Sequence, residues 1–522
     1  METFNEKQKL AYEKINGGED VLIFGPGGSG KSYLIDVLRK DNERMLCLAP
    51  TGMAAINMNE EARTIHSLLM IGAKSLQAWN WEKVSAQIGK QKVKIKNLLD
   101  NYDTIVFDEG SMIISGLFQT LKRTFQMIYN TDDNKPFGDK QTIMLLDPLQ
   151  LPPVKNSSEP YLDLDKRNYE ARELIQTDYI VNDPTFKRLF NKDKGNIIQF
   201  TQNLRCKNQR WIHIREACRT GFHECPQDQK REMLRELNEH RICQVDCLET
   251  NEETQNLSNE DRLFDSLDTY ESGVDKDHIA RKYKQNTQTT LKKQTVEQRN
   301  NARIVELVKL GETQYNVSRK VQITEKEFIK TKSGGKQELR KLYEHSRNYM
   351  DDLGGYYALK NEDKTFHLDM SVVVGERVML RRNGIHPKLK NGSLGIITQI
   401  NLNERVEVQS INVLFDTLEE SIEIKEILFE HPEITEMKIK AFPLIPAFAI
   451  TIHKLQGQTI DSPLFINYND IPFKEKQNHL LYTAISRCKN PNDVYIISDK
   501  PITEGHFPVD PIMYEWYVQH KN

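Results

Sequence analysis

The run Gly25-Pro26-Gly27-Gly28-Ser29-Gly30-Lys31-Ser32 follows directly on the apolar stretch Val21-Leu22-Ile23-Phe24. No other feature of this chain limits its fold as tightly. A buried strand must end there in a glycine-rich turn whose N–H groups point inward at an anion, and a helix must begin at once. Tyr33-Leu34-Ile35-Asp36-Val37-Leu38 carries helical apolar spacing, so the anion would also sit on the positive end of a helix. Lys31 is expected to reach the β- and γ-phosphates of a nucleoside triphosphate, and the Ser32 hydroxyl to hold Mg²⁺. ATP with Mg²⁺ is therefore the expected ligand.

At 522 residues the chain is too long for one core, and several domains are expected. A net charge of −3, with 38% hydrophobic and 28% charged residues, suits a soluble globular protein and neither demands nor excludes nucleic acid. No apolar run approaches the roughly 20 residues needed to cross a bilayer. The start, Met1-Glu2-Thr3-Phe4-Asn5-Glu6, carries no basic or apolar leader. An intracellular, soluble protein with no membrane partner is expected. Cys218, Cys225, Cys243 and Cys247 cluster near His213, His223 and His240 but contain no Cys-x-x-Cys pair, so they read as ordinary thiols.

Short apolar runs at Met45–Ala49, Thr104–Phe107 and Thr142–Leu146 alternate with helical patterns, as a parallel sheet requires. Each ends in a polar turn, the sheet edge where ligands collect. After Phe107 come Asp108 and Glu109. Asp108 is expected to hold Mg²⁺ through its water shell, and Glu109 to orient or deprotonate the attacking water. After Leu146 come Asp147-Pro148-Leu149-Gln150, where Gln150 is placed to sense the γ-phosphate. Ser75 to Asn97, with Trp79 and Trp81, reads as a basic, helix-like insertion. Arg205 follows the strand-like Ile197–Phe200, and the sequence Leu481 to Arg487 puts Arg487 on a helix. Both arginines are candidates to complete the charge on a transferred phosphoryl group when two domains close.

Thr451, His453 and Lys454 have the donors for a nucleic-acid backbone, and Pro50 to Ala55 with Thr64 to Ser67 offer small residues and donors where a strand could lie close. From Glu249 to Tyr343 the pattern dissolves into Glu, Gln, Asn and Lys, which reads as solvated helices and long connections. Alternation returns at Ser371–Leu380, Leu394–Ile400 and Ile411–Phe415, suggesting a small antiparallel barrel. Strands close the chain at Leu464–Ile466 and Val494–Ile497.

In this order the residues resemble the PIF-type helicases, of the RecD-like branch of superfamily 1, over nearly the whole chain. Asn5 and Gln8 resemble the adenine-reading Q motif, and Gly25 to Ser32 motif I. Thr51 and Gly52, with Thr64 and His66, are similar to the strand-contacting elements. Asp108 to Met112 resembles motif II, Gln150 to Val154 motif III and Asn203-Leu204-Arg205 motif IV. Thr451 to Thr459, with Gln456 and Gly457 on the nucleotide side, resembles motif V, and Tyr482 to Arg487 motif VI. Val374 to Leu380 followed by Asn391 to Gly395 is similar to the signature of the family's SH3-like accessory domain. Two departures stand out: Leu146 precedes Asp147 where the family has Gly, and Cys206 follows Arg205 where it has Gln.

The resemblance implies an α/β fold with two RecA-like parallel-sheet domains, a small helical or wedge insertion in the first, and an SH3-like β accessory domain inserted in the second. The expected boundaries are 1–158 for the first domain with its insertion at 70–98, 159–320 and 441–522 for the second, and 321–440 for the accessory insertion. It also implies ATP-driven 5′→3′ translocation on single-stranded DNA and unwinding of forked duplex DNA, in replication, recombination or repair. A monomer without targeting segment, of viral, phage or bacterial type, is expected. An RNA translocase of the same superfamily and a P-loop phosphotransferase are the alternatives.

Overall fold

A computed structural model describes residues 4–50, 54–55, 58, 62–69, 81–153, 179–244, 267–269, 287–290, 293–318, 320–323, 369–382, 384–389, 391–430, 437–456, 459–460, 462–469 and 479–521. The chain divides into two units. The first comprises Met1–Pro226, Gln477–Ser486 and Glu504–Asn522, and the second Gln227–Lys476 with Arg487–Thr503. Among the described residues no helix is long and apolar enough to cross a membrane.

The first unit is built on a six-stranded parallel sheet. Its order is Arg63–Thr64, Met45–Ala49, Thr104–Phe107, Gln141–Leu146, Val21–Phe24 and Ile197–Gln199. The central strands are apolar on both faces because helices cover both. Leu22, Phe24, Leu46, Phe107 and Leu146 face one core, and Val21, Ile23, Val106, Ile143 and Leu145 the other. Helix Lys31–Asp41 buries Leu34, Ile35 and Leu38 against the second of these. The basic insertion contains a helix, Trp81–Leu99, which inserts Ile88, Ile95 and Leu99 into the first core; Trp79 and the Trp81 side chain lie outside the described residues.

The first sheet extends past the boundary expected at 158. Strand Ile197–Gln199 pairs with Val21–Phe24, and residues through Pro226 pack with this unit. The C-terminal helix Pro511–His520 belongs here too, not to the last part of a second domain as expected. Its aromatic face explains why: Trp516 packs edge-on against Phe24 at 5.3 Å, and Met513 and Tyr517 join the same core. Asp510 starts that helix by accepting from the N–H groups of Ile512 and Met513.

The second unit holds another six-stranded sheet, ordered Ala449–Thr451, Thr287–Thr290, Leu464–Asn467, Val494–Ile497, Arg241–Gln244 and Leu267–Thr269. All neighbours run parallel except the last pair. The segment Thr287–Thr290 overturns the expectation of solvated helices and connections between 249 and 343. It reads Thr-Gln-Thr-Thr, yet it is an interior strand with Thr287, Gln288 and Thr289 fully buried. Side-chain hydrogen bonds offset part of the cost of this burial, while Gln288 Nε2 and Thr289 Oγ1 have no partner among the described residues. The Thr287 hydroxyl donates to the Ala447 carbonyl at 3.0 Å, and Gln288 Oε1 accepts from Arg299 Nη1 at 2.7 Å. On the outer side of the sheet, helix Lys293–Lys309 presents Asn300 to Ala449. Asn300 Oδ1 accepts the Ala449 N–H at 2.7 Å, and its Nδ2 donates to the Ala449 carbonyl at 3.1 Å.

Within the same unit lies the antiparallel accessory sheet, ordered Ile422–Lys425, Val408–Phe415, Leu394–Leu402, Arg377–Leu380 and Leu444–Pro446. Inward-facing Val378, Leu380, Ile397, Ile411, Val413 and Phe415 form its own core. Arg377 ties this sheet to the parallel one. Its guanidinium pairs with the Asp416 carboxylate, while Nε donates to Thr287 Oγ1 at 3.1 Å and Nη2 to Ser462 Oγ at 2.9 Å.

Candidate nucleotide site

The site is assembled at the carboxyl ends of the first sheet. Strand Val21–Phe24 runs into the glycine loop, and helix Lys31–Asp41 leaves it. Strand Thr104–Phe107 delivers Asp108 and Glu109, and strand Gln141–Leu146, lying between those two, delivers Asp147 and Gln150. Topology alone thus brings the loop, the acidic pair and Gln150 to one edge. Gly28 and Gly30 both adopt φ of +85°, a region that costs any other residue. Space forbids side chains as well: a Cβ on Gly28 would lie 2.7 Å from Arg205 Cβ, and one on Gly30 2.6 Å from Gln8 Nε2.

Lys31 Nζ donates to the carbonyls of Gly25 at 2.7 Å and Pro26 at 3.0 Å. Burial pushes its ammonium below the usual lysine range, while the charges of Asp147, Glu109 and Asp108 oppose that shift. Asp108 is pushed up to about 7, first by burial and then by the charge of Glu109. Its Oδ1 accepts the Glu109 N–H at 2.8 Å. Glu109 itself stands at φ +49°, a left-handed backbone for a non-glycine residue at the strand tip. A buried carboxyl raised in this way beside a second carboxylate is the environment that a cation relieves. The hard oxygen donors Asp108 and Ser32 suit Mg²⁺.

Around the loop, the structure gathers three further expected residues. Asn5 and Gln8 form a capping box on helix Glu6–Asn16, with Asn5 Oδ1 accepting from Gln8 N at 2.9 Å and Gln8 Oε1 from Asn5 N at 3.1 Å. Gln8 Nε2 remains buried against Gly30 with no partner among the described residues. Arg205 lies in the first unit, directly against Gly28. This corrects the reading of Arg205 as an arginine brought in by closure of a second domain. The cause is the strand Ile197–Gln199, which joins the first sheet and carries Asn203 to Arg205 onto the loop. Leu204 N donates to the Gly28 carbonyl at 2.8 Å and Asn203 Nδ2 to the Gly27 carbonyl at 3.3 Å. Arg205 Nη1 donates to the Ser486 carbonyl at 3.1 Å. Cys206 is buried with its N–H on Asn203 Oδ1.

Arg487 belongs to the second unit and stands in the turn after helix Leu480–Ile485 instead of on the helix. Ser486 closes that helix, so the arginine is free of helical geometry while its carbonyl accepts from Ile460 N at 3.0 Å. Its side chain is buried. Thr451 ends a strand and starts helix Ile452–Leu455, which carries His453; Gln456 follows and is buried. The Lys454 side chain and Gly457 lie outside the described residues, as do Thr51 and Gly52. Thr64 caps the short helix Ile65–Leu69 by accepting from Ser67 N at 3.0 Å. His66 is pushed down to about 4 by burial, so its ring is neutral at neutral pH.

Sequence reasoning missed Arg219. It sits in helix Gln209–Arg219, 1% exposed, and its Nη2 and Nε reach Asp147 Oδ1 at 2.9 and 3.2 Å. The guanidinium also meets Glu216 at 2.8 Å and stacks over the Tyr517 ring at 4.8 Å. In sequence, Arg219 ends the run Glu216-Ala217-Cys218-Arg219 and carries no motif signal.

Comparison with known proteins places this geometry. Residues 3–164 match the model of the PIF1-like helicase family. The ATP-dependent DNA helicase Pif1 of Campylobacter jejuni is 24% identical over 530 residues, covering 97% of this chain and 96% of that protein. Among solved structures, the Pif1 helicase of Candida albicans superposes with a TM-score of 0.67 at 18% identity, covering the whole of both chains. Bacteroides Pif1, solved in complex with ADP-AlF3 and single-stranded DNA, gives 0.58 at 21% identity over 99% of this chain and 97% of that one. With its phosphate loop inside the matched segment and a likeness to one curated relative running from end to end, the chain is similar to the PIF1-like helicases.

Proposed function

We propose that this protein is an ATP-dependent DNA helicase that moves 5′→3′ along single-stranded DNA and opens forked duplexes. The observation that carries the reading is the sheet edge where Lys31, Asp108, Glu109 and Gln150 arrive on three strand ends of one parallel sheet. That arrangement supplies an anion cradle, a carboxylate pair and a buried amide, the parts needed for hydrolysis of a triphosphate. The DNA-bound Bacteroides relative and the helicase activity named for the Campylobacter relative support nucleic acid as the track.

Lys31 would exchange its loop carbonyls for the β- and γ-phosphate oxygens, and Glu109 would take the proton of the attacking water. Mg²⁺, held by Ser32 and Asp108, supplies charge neutralisation at the phosphates when bound. Arg205, already on the loop, and Arg487, from the second unit, would stabilise charge on the transferred phosphoryl group. Gln8 Nε2 is a donor suited to an adenine edge. Thr51, Gly52, Thr64, His66, Thr451, His453 and Lys454 would grip the strand through its backbone, which reads little sequence. Gln456 and Gly457 would join that strand to the nucleotide. We take the monomer as the working species.

Forked duplexes carrying either a 5′ or a 3′ single-stranded tail test the proposal. Unwinding from the 5′ tail alone is expected, and unwinding from the 3′ tail alone refutes the polarity. Lys31→Ala should lower ATP turnover by about 10³-fold. Glu109→Gln should retain ATP binding in a filter assay and lose hydrolysis; parental turnover in that variant would remove Glu109 from its role.

A further inference from the structure

Gln150 stands in the turn that follows strand Gln141–Leu146 and is only 4% exposed. Its Nε2 donates to Asp147 Oδ2 at 2.9 Å, and its Oε1 is buried without a hydrogen-bond partner among the described residues. An amide has two faces, one donating and one accepting, and which face looks into a site decides what it can hold there. Asp147 makes that decision. An ionised carboxylate can only accept, so the Gln150 nitrogen must turn toward it and the oxygen away. A protonated Asp147 could donate to the oxygen instead and leave the amide free to reverse.

Arg219 keeps Asp147 an acceptor. Burial alone would raise the carboxyl, but the guanidinium of Arg219 and the ammonium of Lys31 hold it below the usual carboxylate range. Arg219 spends two N–H groups on Asp147 Oδ1, which leaves Oδ2 for Gln150. The Leu149 N–H also falls on Oδ1 at 3.2 Å and fixes the carboxylate plane. Arg219 is itself held from the far side by Glu216 and by the Tyr517 ring of the C-terminal helix. Every link from that helix to Gln150 is a buried, charge-assisted contact.

We propose that Arg219 is a positioning residue for ATP hydrolysis: by clamping Asp147 it sets the polarity of the Gln150 amide, so that Oε1 accepts a hydrogen bond from the attacking water beside Glu109. The inference deepens the helicase reading above and rests on its assignment of this sheet edge to ATP. Gln150 would thereby act on the nucleophile instead of donating to the γ-phosphate as a sensor. Arg219 touches neither ATP nor water, and its effect passes through two side chains.

The test is a double-mutant cycle on the full-length protein, measuring ATP turnover with and without single-stranded DNA across an ATP titration. Arg219→Gln and Gln150→Ala should each lower kcat by about 10²-fold with KM for ATP unchanged, the cost of a misplaced catalytic group. The double variant should be no slower than Gln150→Ala, because Arg219 works only through Gln150. Arg219→Lys, which keeps a cation beside Asp147, should recover most of the loss and covers the case in which Arg219→Gln fails to fold. Losses that multiply in the double variant would overturn the proposal, as would a raised KM at parental kcat or an Arg219→Lys protein as slow as Gln150→Ala. If the parent hydrolyses ATP with no response to DNA, the helicase reading fails by itself, since the cycle is also read in basal turnover.

Discussion

Strands Val21–Phe24 and Gln141–Leu146 bury Leu22, Ile23, Leu145 and Leu146 completely in the first sheet, whereas the second sheet carries Thr287, Gln288 and Thr289 through its interior at the same zero exposure. The two sheets share parallel topology and solve the same problem, a strand covered on both faces, with different chemistry. In the first, removal of apolar area from water supplies the driving force, at roughly 25 cal/mol per Å². In the second, the interior strand Thr287–Thr290 puts β-branched threonines on the pleat, the Thr287 hydroxyl finds the Ala447 carbonyl, and Asn300 supplies Ala449 with the donor and acceptor that a further strand would have given. Apolar packing tolerates small adjustments. A side-chain hydrogen bond to a buried backbone is either made or lost, so the second sheet should be the more brittle per contact and the first the larger in total.

This contrast can be broken by substitution. The largest effect is expected from Leu145→Ala, which opens a cavity in the first sheet and should cost about 2–5 kcal/mol in denaturant unfolding. A loss under about 1 kcal/mol would mean that the apolar account of this sheet is wrong. Asn300→Ala strips a buried N–H and a buried carbonyl of their partners and should cost about 1–3 kcal/mol. Hydrogen exchange sharpens the reading: the Ala449 amide should lose protection in the variant while the Ile143 amide of the first sheet keeps it. Equal loss in both would show that Asn300 acts on global stability and not on this edge.

A pH-dependent effect concerns the accessory sheet beside the second one. Glu376 is buried with Oε1 unpartnered among the described residues, and burial raises its carboxyl from the usual 4.5 to about 8. An acid whose folded pKa lies above its unfolded one stabilises the fold fully below pH 4.5. That contribution fades as pH rises toward about 8. Glu376→Gln should therefore match the parent most closely in thermal midpoint near pH 4 and gain on it progressively as the pH is raised to about 9. Parallel midpoints across that range would remove Glu376 from the account.

The same contrast explains what could be read in advance. Lys31, Asp108, Glu109 and Gln150 were legible because each follows an apolar strand whose end must coincide with the edge of a parallel sheet. Strand Thr287–Thr290 was not, since Thr-Gln-Thr-Thr has neither apolar alternation nor flanking turn residues, and only its hydrogen-bond partners account for its burial. Arg219 was hidden for a related reason. A lone arginine at a helix end reads as solvated, and its partner Asp147 lies 72 residues away in sequence. The placement of Arg205 and of helix Pro511–His520 in the first unit failed differently: aromatic faces and short strands announce burial without saying which sheet will receive them.

The pair of hydrogen bonds between Asn300 and Ala449 has a consequence outside stability and catalysis. Strand Ala449–Thr451 is the rim of its sheet, and an open rim invites pairing with extended chain from another molecule. One side chain, occupying both backbone groups at Ala449, plugs that rim where a foreign strand would begin to zip. Crowded in a cell beside unfolded polypeptide, the protein would resist being used as a template, at the expense of a single asparagine.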